Sequence, residues 1–159
     1  MAVSASTLRR GMNLWPPFLF SGIRITHIAD DFTAVDVELR QRFYNRNYVG
    51  THFGGSIFAM TDPFWMMMVM HQLGRDYTVW DRAGEIEFLR PGTGTLSAMF
   101  RTTPGMIEDI CANTAEPGTK YLPVYSVDIL NSDGDLVSRV SKTLHIRKRA
   151  DTRKRIGGG

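Results

Sequence analysis

A single cysteine is the whole thiol complement of this 159-residue chain, and that scarcity excludes an intrachain disulfide. Cys111 reads as a buried or half-buried thiol in a reducing cytosol, and no histidine lies beside it in sequence to make it a nucleophile. Long apolar runs are missing as well. No segment reaches the roughly 18 to 20 unbroken apolar residues of a membrane-spanning helix, so no membrane insertion is expected. Arg9 and Arg10 are followed by neither an apolar stretch nor a small-residue cleavage site, so the N-terminus does not read as a signal peptide. His27, His52, His71 and His145 lack the close pairing of metal ligands, and no metal is expected. Spacing leaves a Ser-His-Asp triad open, but Ser56 lacks the G-x-S-x-G setting.

What is present is the balance of a soluble globular domain: 43% hydrophobic and 22% charged residues, in a length suited to one core. The net charge of +3 conceals an asymmetry. Arg147, Lys148, Arg149, Arg153, Lys154 and Arg155, opposed by Asp151 alone, give the tail +5 and leave −2 for the body. A dispersed basic stretch with no interleaved aromatics reads as a solvated end, not a nucleic-acid surface. A weaker reading has part of it attract a phosphate-bearing substrate, with Arg90 a further candidate.

Ser4 to Met12 can form a short helix, after which Pro16 and Pro17 in "NLWPPF" impose an extended path. Ile23–Ile28 and Ala34–Phe43 alternate in polarity across the polar Asp30-Asp31 turn and read as a hairpin. Residues 54–73 have helical length and are apolar nearly all round, which marks a central buried helix ended by Gly74. Strands follow at about 77–81, 83–89 and 95–103, with "RPGTG" turning between the last two. A short helix is expected from Met106 to Thr114. Two long strands, about 122–131 and 136–146, are joined by "NSDGD", a hairpin signal because glycine tolerates positive φ. The economical solution is an α+β domain, an antiparallel sheet wrapped around one helix. We expect a single domain over 1–148, with a helical and extended lead-in at 1–21, and a basic, disordered tail at 149–159.

The chemistry-bearing residues gather around the central helix. Gly54 and Gly55 at its start would let a ligand approach backbone N–H groups left without intrahelical partners, an oxyanion hole in waiting. Two glycines also make a tight strand-to-helix turn with no other role. Asp62 lies eight residues after Gly54, about two turns and roughly 12 Å along a helix, too far for both to act on one carbonyl within a subunit. Two antiparallel copies of the helix in a dimer would remove that obstacle. An acid on so apolar a helix needs a hydrogen-bonding or charged partner. It reads equally as a cap for backbone freed by Pro63, which removes an N–H and kinks the helix. His52 is a proton carrier, a substrate contact or a turn residue; Asn47 and Thr51 are turn formers or polar contacts. Phe58 and the methionines around Met66 are core, or the lining of an acyl pocket.

Three segments resemble the phenylacetyl-CoA (PaaI-like) branch of the hotdog-fold thioesterases: "FGGSIFAMTD", "AGEIEFLRPG" and "VYSVDILNSDGDLVSRVSKTLHIR". "NLWPPF", "NRNYVGTHFGG" and "TDPFW" are more similar still to a hotdog family of unknown function placed beside them. Residues 12 to 148 are covered. The resemblance implies a hotdog fold, assembly as homodimers and often homotetramers, sites at the dimer interface, and no metal or cofactor beyond the CoA of the substrate. Carried over, Gly55 and Gly54 match the thioester-polarising N–H groups and Asp62 the nucleophile or general base. Phe53 stands where the branch has histidine, and Pro63 follows the acid. The leading reading is a cytoplasmic acyl-CoA thioesterase, with His52, Asn47, Thr51, Phe58 and Met66 as substrate contacts. A non-catalytic acyl-CoA-binding hotdog is the alternative. A hydratase or dehydratase, prompted by "HFGG", is the third.

Overall fold

The computed structural model describes residues 3–149. Its elements run α1 (Ala5–Leu14), α2 (Pro16–Ser21), β1 (Ile23–Ile28), β2 (Ala34–Arg40), α3 (Gly54–Ala59), α4 (Phe64–Leu73), β3 (Tyr77–Phe88), β4 (Thr95–Arg101), α5 (Pro104–Asn113), β5 (Lys120–Tyr121), β6 (Val124–Leu130) and β7 (Leu136–Lys148). Seven strands form one antiparallel sheet in the order β1-β2-β4-β6-β7-β3, with β5 also paired to β7. Inward residues such as Ile25, Leu39, Phe100, Ile129 and Leu144 are buried with Phe64 and Met68 of α4, so the sheet is wrapped around the helical segment. That is the expected hotdog architecture.

Three local expectations change. The proline pair opens a helix instead of an extended stretch, because proline at a helix start surrenders an N–H that has no intrahelical partner anyway. Only Trp15, with φ −66° and ψ 126°, takes the extended conformation that a residue before proline prefers. The central helix is two helices. Met60 closes α3, Asp62 N–H bonds the Ala59 carbonyl in a tighter turn at 3.2 Å, and α4 restarts after the cis Asp62–Pro63 peptide. The strands expected at 77–81 and 83–89 are one strand, β3, with a bulge between Asp81 and Ala83. Arg147 and Lys148 belong to β7, and Arg149 N–H bonds the Asp76 carbonyl at 2.8 Å; the tail from 150 onward lies outside the described residues.

The two sheet edges differ. Along β1, Asn13 of α1 exchanges two hydrogen bonds with the Ile25 backbone and Arg9 donates to the Thr26 carbonyl, so side chains cover that edge. The outer edge of β3, twelve residues long, pairs with no strand among the described residues.

Candidate active site

The loop from β2 to α3 is built to hold its glycines still. Asn45 is buried, and its amide donates to the Ser21 and Arg40 carbonyls at 2.8 Å while its oxygen accepts from Arg42 N–H at 2.7 Å. Its own carbonyl takes the Phe53 N–H at 3.0 Å. Asn47 clasps the next turn, donating to Thr51 Oγ1 at 2.7 Å and accepting from Thr51 N–H at 3.0 Å. Asn47 also donates to the His52 carbonyl at 3.2 Å and accepts from Val49 N–H at 3.1 Å, so Asn47 and Thr51 shape the turn and both line the cleft beside Gly54.

Gly54 and Gly55 follow, and among the described residues neither N–H has a hydrogen-bond partner; the Phe53 carbonyl serves Ser56 and Ile57 instead. A Cβ on Gly54 would come 2.9 Å from the Phe88 ring, and one on Gly55 would collide with the Phe53 ring. The two glycines open on different sides. Gly54 lines a cleft of about 430 Å³ with Asn47, Thr51, His52 and Phe88, whereas Gly55 lines one of about 380 Å³ with Phe53, Tyr44 and Arg46. α3 has only six residues, so any polarising field comes from these local N–H groups more than from a long macrodipole.

His52 is buried, its Nε2 lies 2.9 Å from the Gly94 carbonyl, and its backbone N–H bonds the Gly92 carbonyl at 2.8 Å. Desolvation pushes its pKa below the ordinary value, which the Gly94 contact only partly offsets. The neutral ring that donates from Nε2 leaves Nδ1 buried without a partner. His52 therefore locks the Arg90–Gly94 turn onto the glycine loop, and proton carriage is not its evident task. Arg90 itself is ion-paired with Asp135 at 3.1 Å.

Asp62 has the partner its setting demanded. Lys142 Nζ donates to Asp62 Oδ1 at 2.8 Å, with the lysine side chain 5% exposed and the aspartate 51%. Asp81 Oδ2 lies 3.6 Å from the same ammonium, which also sits 4.7 Å from the centre of the Phe58 ring. Asp81 Oδ1 is buried with no partner, and burial raises its pKa, Lys142 opposing and the Asp62 carboxylate adding to the rise. The carboxylate of Asp62 forms no cap on freed backbone among the described residues.

Within one chain, then, Asn47, Thr51, His52 and Gly54 come together, while Asp62 and Phe58 form a second group and line neither glycine cleft. Met66 is half-buried and packs against the core. Cys111, read as shielded, is exposed and approached by the Tyr77 hydroxyl at 3.8 Å. Lys142 and Asp81 were missed. A signal existed: Lys142 falls in step with the buried Ser138, Val140, Leu144 and Ile146 of β7, a charge in an inward register. No cluster of three or more metal-ligating side chains forms among the described residues.

Solved structures place the fold among the hotdog thioesterases. A Pseudomonas aeruginosa protein of unknown function, described as a probable thioesterase, aligns with a TM-score of 0.78 at 16% identity, over 94% of this chain and 99% of that one. A Haemophilus influenzae thioesterase aligns at 0.68 and 15% identity over 96% of both chains. The PaaI protein of the Escherichia coli phenylacetic acid degradation operon aligns at 0.62 and 19% identity over 92% of both. No curated protein matches. Residues 5–146 match the family described as Domain of unknown function (DUF4442), and the chain belongs to that family. No helix among the described residues is long and apolar enough to cross a membrane.

Proposed function

We propose that this protein is an acyl-CoA thioesterase whose site forms between two copies of the chain. The observation that carries the reading is a half-exposed carboxylate, Asp62, on an otherwise apolar helical segment, with one oxygen held by a buried lysine. Free N–H groups at Gly54 and Gly55 supply the complementary feature, donors without acceptors. The thioester carbonyl of the substrate takes those donors from one protomer, and Asp62 of the other works on the carbonyl carbon. As a general base, Asp62 takes a proton from water while the hydroxide forms the new C–O bond. The C–S bond then breaks, and the departing CoA thiolate receives that proton. As a nucleophile, Asp62 forms an anhydride and releases the thiolate, and water then cleaves the anhydride. Water is the sole co-reactant, and no cofactor or metal enters either route. The proposed assembly is a homodimer paired further into a homotetramer, and the proposed location is the cytoplasm, in keeping with the single thiol.

Phe53 favours a second reading. Its ring lies over Gly55 at the position where the PaaI-like branch that the sequence resembles has histidine, a cover suited to a protein that binds acyl-CoA without turning it over.

Thiol release from acetyl-, octanoyl-, palmitoyl- and benzoyl-CoA separates the two, once the single exposed thiol of Cys111 is subtracted as background. Asp62→Asn should lower turnover of the best substrate by at least ~100-fold with the assembly intact. Saturable binding of these thioesters with no thiol release would establish the binding protein instead. Near-parental rates in Asp62→Asn would remove Asp62 from the mechanism.

A further inference from the structure

Around Lys142, three features of the chain serve one ammonium group. β3 faces it with Gly84, the register partner of Lys142, and a Cβ on that glycine would stand 2.7 Å from the Phe58 ring and 3.1 Å from Lys142 Cδ. The glycine opens the lane along which the lysine stem runs. Phe58 of α3 sets an aromatic face against the ammonium. The bulge supplies the third. Asp81 pairs with Leu144 and Gly84 with Lys142, so both lie on the inner face although they are three residues apart. In a regular strand, residues three apart point to opposite faces; the extra residue, Arg82, corrects the phase. Without that insertion Asp81 could not stand inside while Gly84 clears the lane.

This assembly is a poor source of stability. Burying an ammonium costs several kcal/mol, and a partner half-open to water returns little of it. An apolar side chain would fill the same space at less cost. What the lysine supplies is direction: it binds Oδ1 of Asp62, with the Asp81 carboxyl close enough to hydrogen-bond the same aspartate when protonated, while half of the Asp62 side chain stays open to solvent. From this geometry we infer that Lys142 is a positioning residue that fixes the Asp62 carboxylate with one oxygen anchored and the other presented to the substrate, Asp81 being the inner anchor that keeps the ammonium in place. The inference rests on the thioesterase reading and adds to it the group that orients its acid.

The test is a double-mutant cycle on thiol release from the best thioester of the same panel. Lys142→Met should lower kcat by about 10- to 100-fold, the scale of a misplaced catalytic group, with KM within about threefold. In the Asp62→Asn background the same change should lower the rate no further, because there is no carboxylate left to orient. A lysine that only supports the fold would reduce both backgrounds by the same factor, and that result overturns the inference while leaving Asp62 in its role. An unaltered kcat in Lys142→Met overturns it equally. If Asp62→Asn keeps the parental rate, the thioesterase assignment of Asp62 falls first and this inference with it. Should Lys142→Met alone fail to fold, Lys142→Met with Asp81→Asn removes both inner charges, and the cycle is run on that pair with the same expectations.

Discussion

Lys142 Nζ and Asp62 Oδ1 stand 2.8 Å apart although eighty positions separate them in the chain. Because the aspartate is half-open to water, its contribution to folding is small, whatever it does for chemistry. Asp62→Asn, whose amide oxygen can still accept from the lysine, should change stability by no more than ~1 kcal/mol. Thermal unfolding followed by calorimetry would then show a midpoint within about 5 °C of the parent. A fall of more than about 15 °C would mean that the pair is a structural strut, and the loss of turnover in this variant would need another reading.

The glycines make a second prediction in which folding and activity part. The groups that a new methyl would strike are ring ends: Phe88 against Gly54 and Phe53 against Gly55. Both rings are exposed and can swing aside. Neither glycine has a positive φ, and alanine suits a helix start at least as well. Gly54→Ala and Gly55→Ala should therefore fold normally. The methyl would nevertheless crowd the approach to the free N–H groups, and turnover should drop at least ~10-fold in at least one of them. Full activity in both variants would show that the thioester carbonyl docks elsewhere.

How far the sequence spoke depended on whether a signal was periodic. The β1–β2 hairpin, the NSDGD hairpin and the apolar span from Gly54 to Leu73 stand where alternation and punctuation put them. Pro16 and Pro17 misled because proline favours both an extended path and the first turn of a helix, and only packing selects between them. Pro63 signalled a kink, but how completely the helix stops there depends on Asp62 N–H claiming the Ala59 carbonyl. Most of the clamp was hidden for a different reason. Asp81 reaches Lys142 through a bulge, and the sequence shows that bulge only as a break at residue 82, which reads equally well as the gap between two strands. Lys142 was legible in principle, as a cation in an inward column, and was lost beside the basic residues that follow it.

Assembly yields a third prediction. Phe20, Phe43, Tyr44, Tyr48, Phe53 and Phe88 are all exposed on or beside the glycine loop, and the outer edge of β3 has no strand paired to it among the described residues. An aromatic surface of that kind beside an open edge is ordinarily covered. Analytical ultracentrifugation should find a dimer or tetramer at micromolar concentration. Phe88→Glu, which sets a charge at the end of β3, should weaken it at least ~10-fold and lower thiol release in proportion to the monomer formed. A fully active monomer would refute a site shared between copies.

The last prediction concerns acid. His52 is buried with its pKa held below the ordinary 6.5 chiefly by desolvation, and burial lowers His71 and His145 as well. An unfolded chain takes up these protons near that ordinary value, whereas the folded chain resists until lower pH. Between the two values the unfolded state binds more protons, so stability falls as pH falls. Asp81 acts with the opposite sign, since a raised carboxyl pKa favours the folded state at low pH, but it is one group against three. Thermal midpoints should therefore decline from about pH 7 to about pH 5. His52→Gln, whose amide can still donate to the Gly94 carbonyl, should flatten that decline by removing one of the three protonations. Parallel slopes in parent and variant would show that His52 takes its proton as readily inside the fold as outside it, and so that the Gly92–Gly94 turn does not seal it from water.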